Sequence, residues 1–124
     1  MIIVQPPDWP RPRGYSNAMA ARGLQIFVAG QVAIDPQGNL VGQGDIREQT
    51  EQVFRNLAAV LQSAGSGMEK VGKLTVLTTR VEHRVVIHEI RSRIFGAIGH
   101  FPASTLAVGD AVSASIPVFA CAPT

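Results

Sequence analysis

Apolar residues recur at helical spacing in two stretches of the chain. Ile46, Val53, Leu57, Val60, Leu61 and Ala64 fall on one side of a helix, and Ile87, Ile90, Ile94 and Ile98 fall on one side of a second helix over residues 83–98. The first is expected to begin at Asp45, whose carboxylate can cap free amides. Glu48 follows three residues later, which completes a pattern close to a capping box. Gly65 and Gly99 are placed to end the two helices. Strands are expected over residues 24–34, rich in Ile, Phe and Val, and over residues 71–79, rich in Val, Leu and Thr. Residues 112–121 alternate, with Val112, Ala114, Ile116, Val118 and Ala120 on one face and Pro117 on the other. A short first strand is expected over residues 16–21, with Gly23 in the turn after it. Asp35-Pro36-Gln37-Gly38-Asn39 reads as a chain reversal, and residues 40–44 as loop. Pro6, Pro7, Pro10 and Pro12 make residues 5–14 an extended arm, because proline fixes φ and has no amide donor. The order strand, strand, helix, strand, helix, strand implies an α+β fold with both helices on one face of a sheet. There is no internal repeat or linker, so residues 1–124 form one domain.

Composition narrows the class. A chain of 124 residues buries roughly two-thirds of its unfolded surface, so no disulfide or metal staple is needed. Charged residues are 16%, below the ~25% usual for soluble domains, which favours association with further copies. The net charge of +2 is too small to argue for nucleic acid. Cys121 is the single cysteine and sits in an apolar run, where a buried structural thiol is expected rather than a nucleophile. The first residues carry no basic n-region, and no run approaches the ~20 apolar residues of a membrane span. A cytoplasmic protein with no membrane partner is expected.

Standard chemical motifs are absent: there is no glycine-rich phosphate loop, no paired CxxC and no HExxH. His83 and His88 lie five residues apart, about 140° around a helix, and cannot converge on one ion. Neither a metal nor a cofactor is expected. Arg80, Arg84, Arg91 and Arg93 gather around the second helix and read as a solvated face. An RNA surface would carry aromatic residues among them, and Trp9 and Tyr15 lie elsewhere.

Six segments, in order, resemble the YjgF/RidA (L-PSP endoribonuclease-like) superfamily. They are Gly14-Tyr15-Ser16, Phe27-Val28-Ala29-Gly30-Gln31-Val32, Asp35-Pro36-Gln37-Gly38, the helix over 49–65, Val71-Gly72-Lys73-Leu74-Thr75-Val76, and Phe101-Pro102-Ala103-Ser104-Thr105-Leu106. The resemblance implies a chorismate-mutase-like fold, a homotrimer with a barrel-like sheet core, and a small-molecule cleft at each subunit interface. In deaminating members an arginine of the Pro-Ala-Arg element grips the substrate carboxylate. A glutamate on the last strand positions the attacking water, and a serine before Gly-Gln and a tyrosine near the start help line the pocket.

Carried over residue by residue, this chain departs from that pattern. Ser104 stands where the arginine would be, Ala29 where the serine would be, and the glutamate position falls near Pro117 and Phe119. A hydroxyl does not replace a guanidinium as a carboxylate clamp. The resemblance thus implies a substrate-binding cleft of Tyr15, Ala29, Gly30, Gln31, Ser104, Thr105 and Phe119, with no catalytic residue assigned. Without the charged pair, that cleft is expected to favour neutral or aromatic ligands. Three readings follow in order: a Rid-like protein that binds a small metabolite, with action on an imine, enamine or carbonyl compound outside standard 2-aminoacrylate deamination left open; a non-catalytic trimeric binding or regulatory protein; and, last, an endoribonuclease.

Overall fold

The structure is a computed structural model and describes residues 1–109 and 118–122. Six short runs pair as strands: β1 (Ile2–Val4), β2 (Ala18–Ala20), β3 (Leu24–Val28), β4 (Val71–Thr78), β5 (Ala103–Val108) and β6 (Val118–Ala122). The two apolar stripes are helices, α1 (Ile46–Ser63) and α2 (His83–Ile98). The architecture is α+β.

Asp45 caps α1 as its sequence position suggests, accepting from the amides of Arg47 at 3.0 Å and Glu48 at 3.2 Å. Ser66 closes the other end by donating to the Leu61 carbonyl at 2.9 Å, with Gly65 at φ +73°. Gly99, at φ +77°, ends α2 in the same conformation. Removing the Asp45 cap leaves two amides of the first turn without their acceptor. Asp45→Ala is therefore expected to lower unfolding free energy by ~1 kcal/mol, read as an earlier urea midpoint at unchanged slope.

A four-stranded sheet runs in the order β3-β6-β4-β5. Its first two pairings are antiparallel, and β4 and β5 are parallel. Parallel neighbours need a crossover between them, and α2 supplies it. On one face of β4, Leu74, Val76 and Thr78 are buried against the helices. Val53, Phe54, Leu57 and Leu61 of α1 meet Ile87, Ile90 and Phe95 of α2 there, with Val28 and Ala120 completing the core. Phe54 and Phe95 pack edge to face at 6.2 Å. Leu57 and Leu61 are wholly buried, whereas Val60 and Ala64 at the border of the stripe are exposed. On the opposite sheet face Phe27 is 77% exposed.

Three segments differ from the sequence-based expectation. The strand of residues 24–34 stops at Val28. Beyond it the carbonyls of Val32 and Ile34 accept from Asn56 Nδ2 of α1, at 3.0 and 2.9 Å, rather than from a strand. Residues 103–108 form β5, which the short run of small residues did not announce as a strand. The proline-rich arm does not hang free. Ile2, Ile3 and Val4 pair with Ala20, Met19 and Ala18, so the arm is the loop of a closed two-stranded unit. In the alternating segment 112–121, residues 118–121 belong to β6, and residues 112–117, Pro117 among them, lie outside the described residues.

Candidate functional site

The arm and β5 are stitched together although they lie 85 residues apart. The Ser16 amide donates to the Pro102 carbonyl at 3.0 Å, the Ser16 hydroxyl donates to the Phe101 carbonyl, and Ser16 bridges Ala103 in parallel. Ser16 is buried by this seam. The residues on either side, Tyr15 and Ser104, are thereby set facing the same stretch of α2. Gly14 makes the approach possible. Its φ is +76°, and a Cβ there would stand 2.4 Å from Ser92 Oγ and 2.8 Å from His88 Cε1.

Tyr15, Ser104 and α2 line an open cavity of about 460 Å³. Arg91 projects into this cavity. It was expected on a solvated helix face and is instead only 7% exposed. The reason is its register. It follows Ile87 and precedes Phe95 by four residues each, so the stripe that buries those two also buries Arg91. That i±4 spacing between two core residues was the available signal, and the charge obscured it. Arg84, by contrast, is exposed, and Arg93 is paired with Glu51.

The Arg91 guanidinium has two neutral partners. Nη1 donates to Ser104 Oγ at 2.8 Å, and Nη2 donates to His88 Nδ1 at 2.6 Å. Its Nε is buried without an acceptor. The carbon of the guanidinium lies 6.0 Å from the centre of the Tyr15 ring, within the range of a cation–π contact. Burial holds Arg91 below the usual arginine range, an effect the Tyr15 phenol partly offsets. Burial, followed by the charges of Arg91 and Arg84, pushes His88 below the usual histidine range. A guanidinium N–H can only donate, so His88 Nδ1 is the acceptor of this bond. Val85, Ile87 and Leu106 supply apolar wall, and no acidic side chain lines the cavity among the described residues.

The other residues assigned from sequence lie elsewhere within one protomer. Thr105 points to the opposite side of β5 from Ser104, as alternation requires, and accepts from Lys73 Nζ. Gly30 and Gln31 border a separate cavity of about 350 Å³ with Asn56 and Val60. Gln31 Nε2 donates back to the Ala29 carbonyl at 3.2 Å, and Ala29 itself is exposed. Phe119 occupies a β6 backbone position opposite Phe27 and Lys73, and its side chain lies outside the described residues. Among the described residues no cluster of side chains could hold a metal ion, and no helix is long and apolar enough to cross a membrane.

Comparison with known proteins agrees with this architecture. The family model described as Endoribonuclease L-PSP matches residues 10–118. A RutC family protein of Synechocystis is 41% identical over 97 residues, 77% of this chain and 74% of its own. A 2-iminobutanoate/2-iminopropanoate deaminase of Dermatophagoides farinae is 29% identical over 110 residues, 87% of this chain and 84% of its own. The crystal structure of YyfB, a conserved Rid-family protein of Yersinia pestis, superposes with a TM-score of 0.82 at 27% identity, over 97% of each chain. With its helix-backed sheet and a match that spans most of its length, the chain belongs to the endoribonuclease L-PSP family, the YjgF/RidA proteins.

Proposed function

We propose that this protein binds a small metabolite in the cavity between the arm, β5 and α2, and that it is not a deaminase of 2-aminoacrylate-type imines. The carrying observation is the cavity itself: about 460 Å³, with a tyrosine, a serine and a buried guanidinium converging on apolar walls. That is the composition of a ligand pocket, largely apolar with a few polar groups that fix orientation. The family points to a trimer in which neighbouring subunits complete the cleft and bring Ala29, Gly30, Gln31, Thr105 and Phe119 toward a ligand. The exposed sheet face around Phe27 supports such an assembly.

Hydrolysis of an imine needs a group that orients and deprotonates water. The acidic position of deaminating relatives corresponds to the region of Pro117 and Phe119, and neither side chain can serve as acid or base. His88 does not replace it, because its Nδ1 lone pair already accepts from Arg91. Loss of a positioned acid–base group lowers rates by about 10²–10⁴-fold. The test generates imines in situ from alanine or 2-aminobutyrate with an amino-acid oxidase and follows release of the keto acid. The expected result is a rate at least about a hundredfold below that of an arginine- and glutamate-bearing relative. A comparable rate would refute the reading.

A further inference from the structure

We infer that Arg91 is the anion-binding group of the cavity, and that it takes the carboxylate of a small organic ligand from the α2 side. This rests on the reading above that the cavity is a ligand site. It adds that the ligand carries a carboxylate and that Arg91 recognises it.

The argument starts from an uncompensated charge. Arg91 is 7% exposed, and no aspartate or glutamate pairs with it among the described residues. Buried charges are ordinarily paired, because an isolated one loses its hydration without return. The surroundings of Arg91 increase the imbalance. His88 and Arg84 are its basic neighbours on the same helix, and among the described residues the arm and β5 bring it Tyr15 and Ser104 and no carboxylate. Five N–H donors leave a guanidinium, and Ser104 and His88 take one each. Of the remaining donors, Nε is buried with no acceptor among the described residues. Buried donors in native proteins are almost always satisfied, so this set describes the missing partner. A planar carboxylate answers a guanidinium fork with two parallel bonds. Val85, Ile87 and Leu106 favour a ligand with an apolar body over a bare inorganic anion.

Ser104 acquires a meaning of its own here. Its hydroxyl is the seat on which the Arg91 guanidinium rests, at 2.8 Å. An arginine at position 104 would place a second cation against the first. The small hydroxyl on β5 and the arginine on α2 therefore belong together, and the charge that the sequence departs from at one position is supplied from another element. The expectation of a neutral ligand, drawn from the loss of the charged pair, is replaced by that of an anionic one.

The test measures binding of benzoate and hexanoate, each against its amide, by calorimetry and thermal shift on the full chain. Inorganic phosphate serves as the bare-anion control. The unaltered protein is expected to bind each carboxylate about ten- to a hundredfold more tightly than its amide, the range of a charge-assisted bond. Arg91→Gln should bring the two affinities together, and Arg91→Lys should restore part of the difference. Arg91→Met should keep or raise the melting temperature, since an unpaired buried charge has been removed, whereas a purely structural arginine would lower it. Equal binding of acid and amide by the unaltered protein overturns this inference and leaves the ligand-site reading standing. Preference for phosphate over both acids overturns it too, as does a discrimination that survives Arg91→Gln. No binding of any probe defeats both readings.

Discussion

Phe95→Ala is expected to lower unfolding free energy by about 3–5 kcal/mol, the range for emptying a buried aromatic site. Phe95 has no exposed surface and packs edge to face on Phe54 at 6.2 Å, which joins the two helices above the sheet. Neither helix can move in to fill the space. α1 is held over the sheet by Leu57 and Leu61, and the end of α2 is tied down where the His100 ring bonds the Val71 carbonyl at 2.6 Å. Phe95 also lies one turn from Arg91, so loosening it releases the guanidinium from Ser104 as well. Urea unfolding should show the loss at an unchanged slope, with weaker carboxylate binding in the fraction that remains folded. A loss below ~1 kcal/mol would mean that the helix layer repacks freely, contrary to the arrangement described.

Gly14→Val is expected to detach the arm from α2 while leaving the helix-backed sheet folded. Two effects act together at this residue. A φ of +76° costs an L-residue roughly 1–2 kcal/mol, more when it is β-branched. The added Cβ would also meet Ser92 Oγ at 2.4 Å and His88 Cε1 at 2.8 Å. The least costly escape is for residues 13–15 to lift, because the core beneath does not depend on them. Tyr15 then leaves Arg91, and the cavity loses one wall. Trypsin should cleave the variant after Arg13 much faster than the parent, and binding of any cavity ligand should fall by at least about tenfold, as expected when an ordered aromatic wall is lost. Gly14→Ala should show the same changes more weakly. Parent-like cleavage and binding in the valine variant would show that Gly14 does not hold the arm in place.

Both variants act on features that differ in how far the chain announces them. The helices were legible because each has 16 to 18 residues over which a 3.6-residue period repeats, and because their ends carry local chemistry. Asp45 caps within its own turn, and Gly65 and Gly99 reverse the chain wherever they fall. The turn at Asp35 is local too: its carboxylate accepts from the amides of Gln37 and Asn39. Family membership was legible for a similar reason, since short segments in fixed order survive divergence of the residues between them.

What the chain did not announce depends on partners distant in sequence. β1 has three residues and β5 has six of mostly small side chains, and neither carries a period strong enough to stand without its neighbour. Their pairing was decided by the strands they met, Ala18–Ala20 and Val71–Thr78. Arg91 is the clearest case. From sequence it is one of several arginines on a helix, and solvation is the cheapest fate for each. Its burial follows from three elements arriving at one place: α2 turned by Ile87 and Phe95, β5 carrying a hydroxyl to 2.8 Å, and an arm seamed to Phe101 and Pro102 that lays a tyrosine beside it. Local pattern could specify each of these elements, but only their packing could place a cation among them with no counter-charge among the described residues, because the free energy of a buried charge is a property of everything around it.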